Sequence, residues 1–142
     1  MSFIHRAALI TFAAFTLSAC TESAAPQPKA QEATPDEVAV QSVKLALSGK
    51  FDQLHAITET AWEKDQWMTA MNFGFGEMVR AVAKCGGVDQ VVVTDRKVSA
   101  SNDLASFKVW VTLKNSDQKG CASFNPGEMA VVKTAAGWRN KG

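Results

Sequence analysis

The sequence predicts an α+β fold with N-terminal helices packed on one face of an antiparallel sheet. Three observations carry this. Apolar residues recur at helical intervals between Pro35 and Lys84, the repeat shortens to two from Val91 onward, and Gly86-Gly87 marks the change. Helices first and strands afterwards is the order of a sheet covered on one side, not of alternating βαβ units.

The first helix opens at Thr34-Pro35-Asp36-Glu37. Thr34 is placed to cap it, Pro35 to occupy its first turn and Glu37 to reach back in a capping box. Val38, Val40, Val43 and Leu47 give it an apolar side, and Gly49 supplies a stop. A second, short helix is predicted over Phe51 to Thr58, with Phe51, Leu54 and Ile57 inward. The third is predicted from Lys64 to Lys84, with Trp67, Met68, Met71, Phe75, Met78, Val79 and Val82 at helical spacing. Gly74 and Gly76 each disfavour helix by about 1 kcal/mol relative to Ala, so a kink or break is expected there.

Four strands follow. The first runs from Val91 to about Val98. The second, Ser106 to Lys114, alternates cleanly, with Phe107, Val109, Val111 and Leu113 on one face. A loop over Asn115 to Gly120 leads to Cys121–Phe124, which can pair briefly before Asn125-Pro126-Gly127 turns. Glu128 to Lys133 and Trp138 to Asn140 form a closing hairpin around Ala135-Ala136-Gly137.

Ahead of this domain lie two segments of other kinds. Residues 1–19 have the parts of an export signal: Arg6, an apolar stretch from Ala7 to Leu17, and the small pair Ser18-Ala19. The apolar stretch is roughly half the ~20 residues that span a bilayer, and no later run approaches that length. Leu17-Ser18-Ala19-Cys20 resembles the lipobox of bacterial lipoproteins, which implies cleavage before Cys20 and lipid on its sulfur. The alternative is an ordinary cleaved signal followed by a chance cysteine. Thr21, where retained lipoproteins commonly carry Asp, implies by the same resemblance an outer-membrane position facing the periplasm. Residues 20–34 then form a linker, with Pro26 and Pro28 and no large apolar residue. As a flexible coil it spans about 20 Å.

The chain has 142 residues with a formal net charge of +1, leaving about 120 after the signal, enough for one domain. The balance of charges offers no basic stripe for nucleic acid. With Cys20 assigned to lipid, Cys85 and Cys121 remain, an even pair in an oxidising compartment where a structural disulfide is the default. Two free thiols or a redox pair is the alternative, although neither CxxC spacing nor an adjacent basic cluster supports it.

The segment GKFDQLHAIT (49–58) resembles the helix–Gly–Phe–short-helix passage of NTF2-like domains, and EMAVVKTAAGWRNKG (128–142) resembles their closing hairpin. Exported members include the DUF4878-like group of envelope lipoproteins. The resemblance covers residues 35–142. It implies a curved sheet rolled around the helices into a cone, often with a pocket at its mouth, on which some members catalyse and others bind ligands or proteins.

Little in the sequence points to catalysis. Beyond the signal the only histidine is His55, and the chain has no tyrosine. His55 can be read as a general base helped by Asp52 or Glu59, or as a helix-surface residue. No grouping of His, Cys and acids has metal-ligand spacing, and no nucleophile elbow, phosphate loop or dinucleotide fingerprint is present. No enzyme activity, metal or cofactor is expected. The dense apolar set on the third helix has two readings, core or pocket. Trp67, Met71, Phe75 and Met78 are the candidate pocket residues, joined by Trp110 from the otherwise polar face of its strand. The expectation is a non-catalytic, membrane-anchored module that binds a protein partner in the envelope, with binding of a small apolar ligand in the cone pocket as the alternative.

Overall fold

The structure is a computed structural model that describes residues 32–142. The signal segment, Cys20 and the linker up to Gln31 lie outside the described residues.

Helix α1 spans Pro35–Leu47 and begins with the expected capping box. The Glu37 amide donates to Thr34 Oγ1 at 3.3 Å, and the Thr34 amide donates to Glu37 Oε2 at 2.8 Å. That backbone hydrogen bond from Thr34, with a second from its hydroxyl, holds the Glu37 carboxyl below its ordinary range. Pro35, Val38, Ala39, Ser42, Val43 and Leu47 are buried, a stripe of the 3.6-residue period. Gly49 ends the turn at φ +68°, where a Cβ would lie 3.2 Å from Val79 Cγ1. Both its conformation and the close approach of α3 call for glycine.

Helix α2, Phe51–Ala56, stops short of Thr58. Thr58 and Glu59 instead form strand β1, pairing parallel with the last strand of the chain. The Ile57 carbonyl accepts from the Asn140 amide at 2.8 Å. Helix continuation is the local preference, and hydrogen bonds to a distant strand override it. Helix α3 runs over Lys64–Lys84 as one uninterrupted helix, so the break expected at Gly74 and Gly76 does not occur. Nothing lies within 4 Å of a Cβ at Gly74. The helix is held on either side of the glycines by Trp67, Met71 and Val82, which are buried.

Strands β2 (Val88–Val98), β3 (Leu104–Leu113), β4 (Glu128–Thr134) and β5 (Gly137–Lys141) complete a five-stranded sheet in the order β1-β5-β4-β3-β2. The sheet is antiparallel except at the β1–β5 pair, a short parallel edge with no counterpart in the sequence pattern. Pairing of β2 with β3 shifts register between Thr94 and Lys97, with Asp95 at φ +52°. A bulge of this kind bends and twists its strand, and the sheet is curved and open, with the helices on its inner face. Lys108 Nζ lies 2.8 Å from Asp95 Oδ2 and, through that hydrogen bond, holds the Asp95 carboxyl below its ordinary range.

Inward residues of β3, namely Ala105, Phe107, Val109, Val111 and Leu113, are all buried. They divide between two clusters. Phe107 and Ala105 meet Val38, Ala39 and Val131. Val109, Val111 and Leu113 meet Val43, Leu47, Val82, Val91 and the cysteines. A third cluster, Phe51, Leu54, Trp67 and Met71, belongs to the helices alone. Cys85 and Cys121 form a disulfide with Cα atoms 5.5 Å apart, tying the end of α3 to the loop whose Phe124 bridges to Val111.

Candidate functional site

The helical cluster and the sheet clusters do not merge completely, and a cavity of about 290 Å³ lies between them. One wall is helical: Ser42, Val43, Ala46 and Leu47 of α1, Leu54 of α2, and Trp67, Met71 and Phe75 of α3. Val109 of β3 and Met129 of β4 face them. The rim is made by Pro126 to Glu128 ahead of β4 and by Asn140 to Gly142 at the end of β5. Both parts of the rim are tied down. Asn125 Oδ1 accepts from the Gly127 amide at 2.6 Å, and Asn140 Nδ2 donates to Thr58 Oγ1 at 3.1 Å.

The expected pocket residues divide. Trp67, Met71 and Phe75 follow one another at i, i+4 and i+8 on α3 and share the cavity wall. Met78 is not part of that wall; it packs, partly buried, against the cluster around Val43 and Val82, because one further turn carries it over the sheet. Trp110 is likewise outside it. It is 50% exposed and pairs with Val92 on the sheet face away from the helices, since strand alternation turns inward only its neighbours Val109 and Val111.

Two residues of the wall, Ser42 and Trp67, also carry unpaired polar atoms. Ser42 Oγ and Trp67 Nε1 are buried and have no hydrogen-bond partner in the protein; their residues are only 2% and 9% exposed. They are the only two such side-chain atoms among the described residues, and both belong to residues that line the same cavity. An unpaired buried polar group costs about 1–3 kcal/mol, so native structures rarely retain one without a use. Sequence reasoning misses Ser42. It stands in the apolar phase of α1, between Ala39 and Val43, and that misplaced polar residue is the one local sign of it. Replacing it tests the assignment. In the empty protein, Ser42→Ala removes an unpaired hydroxyl and raises helix propensity, so stability should rise by about 1–2 kcal/mol. The melting temperature should then increase by about 4–8 °C; a fall instead would mean the hydroxyl is already bonded.

His55 lies apart from the cavity wall. Its Nε2 is 3.4 Å from the Trp62 carbonyl oxygen, and its ring is tilted 58° to that of Trp67 with centroids 5.9 Å apart. Its hydrogen-bond partner is thus main chain, and neither Asp52 nor Glu59 bonds to it. The charged residues of the cavity are Glu128 and Lys141, one of each sign and both exposed at the rim. Among the described residues, no three His, Cys, Asp or Glu side chains gather as a metal site, and no helix is long and apolar enough to cross a membrane.

A protein of Campylobacter jejuni, provisionally named an NTF2-like transpeptidase, has a crystal structure that superposes on this chain with a TM-score of 0.61. The match covers 77% of this chain and 98% of that protein. The fold is NTF2-like. At 16% identity the likeness is one of architecture, and the other protein's activity does not transfer with it. No protein-family model matches the chain, and no curated protein sequence matches it. The cavity is a gap that the helices leave where they lie across the curved open sheet, lined by α3 on one side and by the end of β5 at its rim.

Proposed function

We propose that this NTF2-like domain is a non-catalytic module that binds a small, largely apolar molecule in the cone cavity, held at an envelope membrane by lipid on Cys20. The observation that carries the reading is an apolar cavity of about 290 Å³ between the helices and the sheet, lined by Leu47, Leu54, Trp67, Met71, Phe75 and Val109. Ligand sites are typically apolar concavities with a few placed polar groups, starting near 300 Å³. Catalysis finds no support in the same walls: the Ser42 hydroxyl has no base hydrogen-bonded to it, and His55 is not among the lining residues. The name of the Campylobacter jejuni protein therefore lends no reaction to this one. The lipid anchor is supported by Leu17-Ser18-Ala19-Cys20, and two or more acyl chains anchor firmly where one holds only marginally.

Binding is tested by titrating the oxidised protein with pentylbenzene and butyrophenone. At a concentration a hundred times Kd, a ligand adds about 2.7 kcal/mol of stability, a rise of about 8–12 °C in melting temperature. Ala46→Phe, which places a ring in the cavity, should abolish the rise while circular dichroism stays unchanged. Constant melting of the unsubstituted protein at all concentrations would remove the reading. The anchor is tested separately: Cys20→Ser should eliminate incorporation of labelled palmitate and release the protein from membranes, and persisting label would refute the assignment.

A second reading, docking on a protein partner in the envelope, is favoured by Phe73, which is 95% exposed on α3, and by exposed Trp62 in the preceding loop. Scattered exposed aromatics are common on soluble domains, and these two do not outweigh the cavity.

A further inference from the structure

We infer that two copies of this chain join through the edge strand β2, paired antiparallel about a two-fold axis at Val92, so that their sheets become continuous. One edge of the sheet, β1, is two residues long; the other, β2, has eleven and pairs with β3. The ladder decides which of its main-chain groups are free. Val111 of β3 exchanges hydrogen bonds with Phe124, at 2.9 and 3.0 Å, on the side away from β2. Its partner Val91 therefore stands at a non-hydrogen-bonded position, and alternation puts Val93 in the same state. Their N–H and C=O groups point out of the sheet edge, and no main-chain group outside the sheet bonds to them. An open edge is a template for a further strand, and natural sheets blunt it with charge, proline or a bulge. In β2 the register shifts and the charged residues lie towards the ends. Between them, Gln90-Val91-Val92-Val93-Thr94 has no charge and no proline and keeps a regular register with β3.

The strand itself selects a second copy as the occupant. Pairing Val91 with Val93 of the other copy satisfies the edge groups of both and sets Val92 directly opposite itself. Val92 and Trp110 are cross-strand partners on the face away from the helices, and they are 41% and 50% exposed. In the dimer Trp110 and Val92 continue into Val92 and Trp110 of the second copy, a single row that covers apolar surface one copy leaves in water. Charge fixes the direction. Asp89 stands near the start of β2 and Arg96-Lys97 near its end, and neither Asp89 nor Lys97 forms an ion pair among the described residues. Antiparallel pairing lays the acidic start of one copy along the basic end of the other, whereas parallel pairing sets like beside like. Asp95, in the bulge, is already matched by Lys108. Any extended segment satisfies the edge groups, but self-complementary charge and a self-matching apolar row belong to this strand paired with itself. Five residues of edge bury much less than the roughly 800 Å² per partner of a stable complex, so the dimer is reversible. No residue of β2 lines the cavity, and pairing and ligand binding are separate properties.

The test is cysteine cross-linking of the full chain under oxidising conditions, read as a dimer that reductant dissolves. Val92→Cys places two thiols at a directly opposed, non-hydrogen-bonded pair, where Cα atoms lie about 4.5 Å apart and a disulfide can close. It should form a covalent dimer that the unsubstituted protein does not. Gln90→Cys alone should give at least about tenfold less, because a four-residue offset keeps its thiols about 13 Å apart. A mixture of Gln90→Cys and Thr94→Cys should cross-link again, since those two positions face each other across the axis. Sedimentation of the unsubstituted, oxidised protein should show monomer passing to dimer over about 1 μM to 1 mM. Val92→Lys, which opposes two ammonium groups at the axis, should raise the dissociation constant at least about tenfold while circular dichroism stays unchanged. If Val92→Cys stays monomeric, or Gln90→Cys cross-links as readily, pairing about Val92 is overturned. Cross-linking of Val92→Cys to a different protein instead of to itself would make the occupant a foreign strand and overturn it too. So would a sedimentation coefficient that does not change with concentration.

Discussion

Reduction of the Cys85–Cys121 bridge is expected to lower the melting temperature by about 10–15 °C. The disulfide closes a loop of 36 residues, and the chain-entropy argument gives about 3–4 kcal/mol for a loop of that length. A domain of this size loses about 4 °C per kcal/mol. Geometry adds to the entropic effect. Both cysteines are buried in the cluster that joins α1, α3 and the sheet, and the Cys85 carbonyl accepts from the Asn115 amide at 3.1 Å beside them. Beyond Cys121 the chain runs through Phe124 to the rim at Pro126–Glu128. Reduction should therefore weaken binding of butyrophenone as well as stability. Melting curves with and without a reductant, each recorded with and without butyrophenone and paired with alkylation to count free thiols, settle both points. An unchanged curve with two thiols alkylated before reductant is added would show that the bridge does not form.

Phe107→Ala should cost about 3–5 kcal/mol, the range for emptying a buried aromatic site. Against a usual total of 5–15 kcal/mol, the variant should be close to unfolding at ordinary temperature. Phe107 is 1% exposed and packs with Val38, Ala39, Ala105 and Val131, so it joins α1 to the centre of the sheet. The residue across from it on β4 is Met129, which lines the cavity, and the loss should extend to ligand affinity in whatever fraction remains folded. Urea denaturation is the direct measurement. A midpoint shift equivalent to less than about 1 kcal/mol would mean that α1 is not seated on β3 as described. Phe107→Leu, which retains most of the volume, should recover a large part of the stability.

Much of this protein is legible in its residues read in order, and the legible part is local. The capping box at Thr34 and Glu37 sets the start of α1 because its two hydrogen bonds lie within four residues. The bounds of α3, Lys64–Lys84, follow from an apolar period maintained across both glycines. The alternation through Phe107, Val109, Val111 and Leu113 marks the inner face of β3, and all four are buried. Helices followed by strands indicate the α+β class, and the NTF2-like architecture is anticipated by the resemblance of residues 49–58 and 128–142 to passages of that family. Short-range spacing thus places the helices and strands, identifies their apolar faces and leaves Cys85 and Cys121 as the pair available to bridge.

The remainder depends on partners far away along the chain. Thr58 leaves its helix to pair with Asn140, because a hydrogen-bonding edge 82 residues away outweighs a local preference. Helix α3 stays whole because packing on either side of Gly74 and Gly76 offsets their intrinsic cost. Trp67, Met71 and Phe75 part from Met78 and Trp110, since apolar periodicity says that a side chain faces inward or outward but not whether core or empty space awaits it. Above all, tertiary packing brings Ser42 and Trp67, 25 positions apart in sequence, into the walls of one cavity with their polar atoms unpaired. Whether a buried polar group finds a partner is a property of every element packed around it, and no local pattern of residues records it.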